Sequence, residues 1–183
     1  MQIIQAPHAI LSEKAKKIHK IDKDVLQLIA EMKTILVNAS DPEGVGLAAP
    51  QVGKSLQLFI AKPTKNTPFS VFVNPQITLL DKEEKTKTKY LSKKKHTKLE
   101  GCLSLKDIWG QVHRANRIKA HYLDEHGTAH NIIVSGFLAT IMQHEQDHLD
   151  GILFPKRVLE QNNKLYRSHK DDKGEDVFDE IKL

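Results

Sequence analysis

Two histidines stand four residues apart at His144 and His148, with a glutamate, Glu145, directly after the first. On a helix, side chains at that spacing project one turn apart on a single face, so both imidazoles can reach one ion. Glu145 lies too far round the helix to share the ion easily, yet near enough to take a proton from a water that the ion holds. This is the HExxH arrangement, and its chemistry is metal-assisted hydrolysis. So short a pattern also arises by coincidence on polar helices, and either histidine alone is more often a hydrogen-bonded core residue than a ligand. The preceding turns lower that chance: Phe137, Leu138, Ala139, Ile141 and Met142 are apolar on nearly every side, the pattern of a buried helix. Ionisable groups placed in such a helix, Asp147 among them, are costly unless compensated, and a bound cation is the simplest compensation.

The elements that must position this helix follow from the flanking sequence. Ser135 reads as its N-cap and Gly151 as the residue just past its end. Alternating residues over 117–123, a turn at 125–128 with Gly127, and an extended run over 129–134 predict a hairpin leading straight into it. Near the start, Val25, Leu28, Ile29, Met32, Ile35 and Leu36 predict an amphipathic helix over 24–38, with Asp22 or Asp24 at its beginning. Short β-rich runs at 56–61, 70–73 and 77–80, punctuated by Pro63, Asn66, Pro68 and Pro75, read as antiparallel strands. Pro155 can open a short helix over 156–161, and the tail beyond residue 164, with DDKG at 171–174, predicts a terminal hairpin or docked strand. No repeat or linker divides the 183 residues, which suffice for a single catalytic α+β domain, 1–183, with a sizeable core.

Two further stretches bear on chemistry. GVGLAAPQVG, at 44–53, holds small residues that let the backbone approach something closely. A tight turn feeding a strand explains it well, except that Gln51 is a polar amide in an apolar setting and can donate a hydrogen bond into a site. EGCLSL, at 100–105, carries Cys102, the chain's one cysteine. A lone cysteine is more often an inert small hydrophobe than a functional thiol, so its role depends on whether it meets the two histidines in space. One cysteine forms no internal disulfide and fits a reducing compartment.

Composition narrows the class. No apolar run is long enough to span a bilayer, and the N-terminus carries neither a secretory signal pattern nor an Arg-rich transit pattern, so a cytoplasmic location is expected. The net charge of +5 is concentrated in one place: residues 82–98 contain 8 Lys and 2 Glu, a local +6 that leaves the remainder at −1. That segment reads as a solvated insertion rather than a base-stacking surface, because it lacks interleaved aromatics. Contact with ribosomal RNA phosphates is its second reading, and the C-terminal segment is the alternative route for ribosome contact; specific DNA binding and membrane association are not expected.

Together, GVGLAAPQ at 44–51, EGCLS at 100–104 and QHEQDHLDG at 143–151 resemble, in order and separation, the three signature motifs of the peptide deformylases. The likeness covers most of residues 1–160. It implies antiparallel sheets around the helix that carries HExxH, and removal of the formyl group from the N-formylmethionine of nascent polypeptides. By the same resemblance the metal ligands are Cys102, His144 and His148. One thiolate and two imidazoles leave a fourth position open, as in catalytic rather than structural sites. The ion then lowers the pKa of its water from about 15.7 to roughly 7, Glu145 accepts the proton, and the Gln51 amide and the Leu103 backbone N–H face the tetrahedral oxyanion. Phe137, Thr140 and Ile141 share the ligand face and, with Val45, Gly46, Leu47 and Leu103, are expected to form a methionine-sized pocket. Glu100, Arg114 and Asp147 are expected to brace the ligands as an ion-pair network. Ligand type admits Zn²⁺, Fe²⁺, Co²⁺ or Ni²⁺, and the resemblance points to Fe²⁺. The lysine-rich insertion, the segment SLKDIWGQ without a proline after the cysteine, and the terminal extension over 164–183 depart from the compact bacterial pattern.

HExxH with a glutamate base also serves metal-dependent endopeptidases. An upstream cysteine in place of a downstream third ligand, and glycines beside the pocket, oppose that reading; internal cuts in an unfolded protein would support it. A non-enzymatic RNA-binding module built on the lysine segment leaves Cys102, His144, Glu145 and His148 unexplained.

Overall fold

The structure is a computed structural model that describes residues 1–40, 43–80 and 99–182. Its elements run α1 (Lys23–Asn38), β1 (Gly46–Ala48), β2 (Leu58–Ala61), β3 (Ser70–Leu79), β4 (Glu100–Cys102), β5 (Leu105–Gly110), β6 (Arg117–Leu123), β7 (Ala129–Ser135), α2 (Phe137–Leu149), α3 (Phe154–Glu160), β8 (Leu165–Lys170) and β9 (Asp176–Glu180). The expected insertion at 82–98 lies outside the described residues.

The strands form two antiparallel sheets, one in the order β1-β2-β3-β6-β7 and one in the order β4-β5-β8-β9. The α+β class expected from the sequence is the one found, with the HExxH residues on α2, which packs against the first sheet. Successive strand side chains point to opposite faces, and the first sheet uses both faces. Leu58, Ile60, Val71 and Val73 pack with Val25, Leu28, Ile29 and Met32 of α1. Their neighbours Phe59, Ala61 and Phe72 pack with Ala139, Ile141 and Met142 of α2 on the other side. A strand buried on both faces reads as a continuous apolar run, which is why LFIA of β2 shows no polar alternation.

The end of α1 nearest its start is capped as the sequence predicts: the Asp22 carboxylate accepts the Val25 N–H at 3.1 Å. The β6–β7 hairpin also forms as expected, with register from Arg117↔Ser135 to Leu123↔Ala129. Three local expectations are corrected. Pro75 does not separate two strands, because β3 absorbs it in a register shift between Val73 and Gln76, with Asn74 at φ 49°. Ser135 is not the N-cap of α2: it is still paired in β7, and Gly136, at φ 69° and ψ −145°, makes the turn into the helix. Nor is the first turn of α2 wholly buried, since Phe137 is 51% exposed.

The tail forms the hairpin β8–β9, added to the second sheet through β5 with Trp109 opposite Tyr166. No helix among the described residues is long and apolar enough to cross a membrane.

Candidate metal centre

His144 and His148 stand one turn apart on α2, with ring centroids 5.1 Å apart. The backbone that follows them is fixed by Gly151, which has φ 70° and sits where a Cβ would stand 2.7 Å from the Ser12 backbone. Cys102 comes from the other sheet, at the tight reversal that pairs it with Leu105. Its Sγ is 3.2 Å from His148 Nε2. The ligating atoms of Cys102, His144 and His148 all lie within 4.8 Å of one another, so the cysteine does meet the two histidines.

This donor set fits a small divalent cation, because a soft sulfur and two imidazoles are a ligand combination that such ions accept. One orphaned atom agrees with that fit: Glu145 Oε2 is buried without a hydrogen-bond partner. Buried polar atoms are seldom left unpaired without a functional reason.

Charge organises the surroundings. Glu100 Oε2 lies 3.1 Å from His144 Nδ1 and fixes which ring nitrogen faces inward. The Arg114 guanidinium grips Glu100 through two bonds of 2.9 and 3.0 Å and reaches Asp147 at 2.6 Å. Burial opposes ionisation of Glu100, but its contacts with His144 and Arg114 prevail and hold its pKa at about 2. Burial pushes Glu145 up to about 7, against the pull of His144 and Arg114. Burial also lowers His148 well below the ordinary imidazole value, with His144 and Arg114 acting in the same direction. For His144, burial is outweighed by Cys102 and Glu100, which raise its pKa well above that value.

Gln51 ties two motifs together. Its Oε1 accepts the Ala48 N–H at 2.8 Å, and its Nε2 donates to Ser104 Oγ at 3.2 Å and to Cys102 Sγ at 3.5 Å. Gln5 donates to the Leu103 carbonyl at 2.9 Å, bracing the same reversal from the N-terminal segment.

A cavity of about 310 Å³ opens beside these groups. Val45, Gly46, Leu103, Phe137, Thr140 and Ile141 are among the residues that line it. Leu47 does not line it: strand alternation turns Leu47 to the α1 face, where it is fully buried, while Gly46 on its other side meets α2.

Two residues were not foreseen. Arg157 of α3 grips Asp147 at 2.7 Å and extends the ion-pair chain, and only its position after a helix-opening proline marks it in sequence. Trp109 lines the cavity, and as the chain's one tryptophan next to a cysteine motif it offered a signal that composition alone does not interpret.

The polypeptide deformylase family profile matches residues 1–164. A peptide deformylase from Dehalococcoides mccartyi strain CBDB1 is 34% identical over 171 residues, 93% of each chain. One from Aquifex aeolicus strain VF5 is 36% identical over 180 residues, covering 92% of this chain and 98% of its own. Among solved structures, the Thermotoga maritima peptide deformylase superposes with a TM-score of 0.70 at 30% identity, covering 85% of this chain and 95% of that one. The Synechococcus elongatus peptide deformylase, solved in complex with actinonin, gives 0.70 at 32% identity, covering 88% of this chain and 81% of its own. The fold and these matches define a metal-dependent hydrolase. This chain belongs to the peptide deformylase family.

Proposed function

We propose that this chain, acting as a single catalytic domain in the cytoplasm, hydrolyses the N-formyl group from the formylmethionine that begins new polypeptides. Within a family match that spans most of the chain, the observation that carries the reading is the buried carboxylate of Glu145 beside the Cys102, His144 and His148 cluster. Those three residues hold the ion, with Fe²⁺ the physiological choice and Zn²⁺, Ni²⁺ or Co²⁺ able to replace it. A bound divalent cation supplies Lewis acidity, polarising the formyl oxygen and acidifying water.

Each protein group then has a task. Glu145 takes a proton from the water that attacks the formyl carbon, and its burial, which favours the protonated form, suits it to hold that proton. The Gln51 Nε2 amide and the Leu103 backbone N–H donate to the oxygen that gains charge. When the C–N bond breaks, Glu145 returns its proton to the departing amine, leaving formate and a free methionyl N-terminus. Val45, Gly46, Phe137, Thr140 and Ile141 take the methionine side chain, which is unbranched and apolar. Glu100, Arg114 and Asp147 hold the ligand rings in place. The eight lysines of the segment 82–98 support a second reading of it, beside that of a solvated insertion, as a contact for ribosomal RNA phosphates.

Formate release from formyl-Met-Ala-Ser, measured beside acetyl-Met-Ala-Ser with metal-loaded protein, tests this reading. Release from the formyl peptide alone is expected. Internal cleavage of an unfolded protein, with no formate, moves the endopeptidase reading to the front. Deleting residues 82–98 should leave this small-peptide rate intact while weakening association with ribosomes at low salt.

A further inference from the structure

The family match ends at residue 164, yet the hairpin that follows reaches the wall of the cavity. Trp109 Nε1 donates to Ser168 Oγ of β8 at 2.9 Å. The ring of Phe178 on β9 meets the indole edge to face, with centroids 5.8 Å apart and planes at 85°. On its other side the indole covers Gly101: a Cβ there would stand 2.8, 2.9 and 3.0 Å from three atoms of the benzene ring. Trp109 is thus clamped between the strand that ends in Cys102 and the β8–β9 hairpin, and it lines the cavity.

We propose that the β8–β9 hairpin sets peptide selectivity through Trp109, making the indole a docking wall for a large apolar side chain downstream of the formylmethionine. The inference rests on the function proposed above and adds the preferred substrate class. Three observations carry it. Leu99 and Leu103, outside the set given to the methionine side chain, join Trp109 in giving the lining an apolar character. A flat, rigid indole offers large contact area at little entropic cost. Its orientation is fixed from two directions, by a hydrogen bond and by an aromatic edge. Phe178 itself is 41% exposed, so its contact with Trp109 is a larger share of its packing than it would be for a core residue. Phe178 and Ser168 are positioning residues; Trp109 is the group that touches the peptide.

The chain has one tryptophan, so its emission reports this wall alone. Metal-loaded protein is titrated with the product peptides Met-Phe-Ser and Met-Ser-Ser while that emission is followed, and KM and kcat are measured for their formylated forms. The Phe peptide should shift the emission to the blue and bind more tightly than the Ser peptide. Phe178→Ala should raise KM for the formyl-Phe peptide about two- to tenfold, the factor that losing a well-oriented aromatic contact between the indole and the peptide would cost, with kcat changed less than about twofold and the Ser peptide unaffected. Phe178→Tyr should restore the wild-type KM, and Ser168→Ala should move KM in the same direction as Phe178→Ala. Circular dichroism melts of the variants establish that they are folded at assay temperature. Emission indifferent to peptide, or an equal change in KM for both peptides in folded Phe178→Ala, overturns the inference. Absence of formate release by the wild type, with emission still responding to Met-Phe-Ser, removes the deformylase reading instead.

Discussion

The carboxylate of Glu145 lies against the bare backbone of Gly46, so that a Cβ on that glycine would stand 2.3 Å from Oε1. No real Cβ contact is so short, and the same Cβ would meet Ile141 at 2.9 Å. The second glycine of GVGLAAPQ is therefore a spatial requirement of the Glu145 carboxylate rather than of the turn. Gly46→Ala should displace the carboxylate and lower kcat about 100-fold, the scale of an ångström-sized misplacement of a reacting group. Metal content should be unchanged. A variant that works at the wild-type rate would show that this contact does not set the position of the base.

The buried ion-pair chain makes Arg114 the second test. Its side chain is 8% exposed and bonds both Glu100 and Asp147. Removing it takes the guanidinium away from buried Glu100, which keeps His144, and leaves Asp147 to Arg157, a loss of about 3–5 kcal/mol. For a chain of this size that lowers Tm by about 10 °C. Because Glu100 orients His144, metal affinity should also fall about 10–100-fold. Arg157→Ala should act in the same direction with a smaller effect, since Arg157 is more exposed and leaves Asp147 still held by Arg114. Full metal content and an unchanged rate in Arg114→Ala would count against the network's role.

What the sequence made legible was mostly local. Helical spacing alone puts His144 and His148 on one face, and Gln51 stood out as an amide among small apolar residues. Whether Cys102 meets the histidines is not local, because it requires two strands and a helix from different parts of the chain to converge. Leu47 was misplaced because alternation says that neighbours face opposite sides, without saying which side holds the site. Ser135 was a good cap by residue type, but pairing with Arg117 kept it in the strand. Trp109 depends on Ser168 and Phe178, roughly sixty and seventy residues away, and no short-range pattern links them.

Metal removal gives a third test. Dialysis against a chelator should abolish formate release and lower Tm, since a ligand at 100 times its Kd stabilises by about 2.7 kcal/mol. Both should return with Fe²⁺ under anaerobic conditions, or with Ni²⁺, Co²⁺ or Zn²⁺ to differing extents. Activity that survives exhaustive chelation, with metal analysis reading zero, contradicts a metal-dependent hydrolase.

A fourth test concerns pH at the β6–β7 turn, away from the site. Asp124 accepts the His126 and Thr128 N–H groups at 2.8 and 2.9 Å and contacts His130 Nε2 at 2.8 Å. The His130 contact, more than those backbone bonds, holds its pKa down from 3.8 to about 2. A depressed carboxylate contributes stability above its unfolded pKa, and that contribution is lost as pH falls through the folded value. The turn should therefore stay formed through pH 3.8 and loosen only as pH approaches about 2. An NMR titration of the His126 and Thr128 amides should give a midpoint near the lower value, and Asp124→Asn should erase the transition. A midpoint at the ordinary Asp value would refute the assignment.

The central claim is that Glu145 moves the proton in formyl hydrolysis while Cys102, His144 and His148 hold the ion. The most direct measurement is formate release from formyl-Met-Ala-Ser by wild type and Glu145→Gln, each with bound metal quantified in the same sample. Equal metal content with a rate loss of about 10²–10⁴-fold in the variant is the predicted result, matching the usual contribution of a positioned acid–base group. Equal metal content with an equal rate would contradict the account.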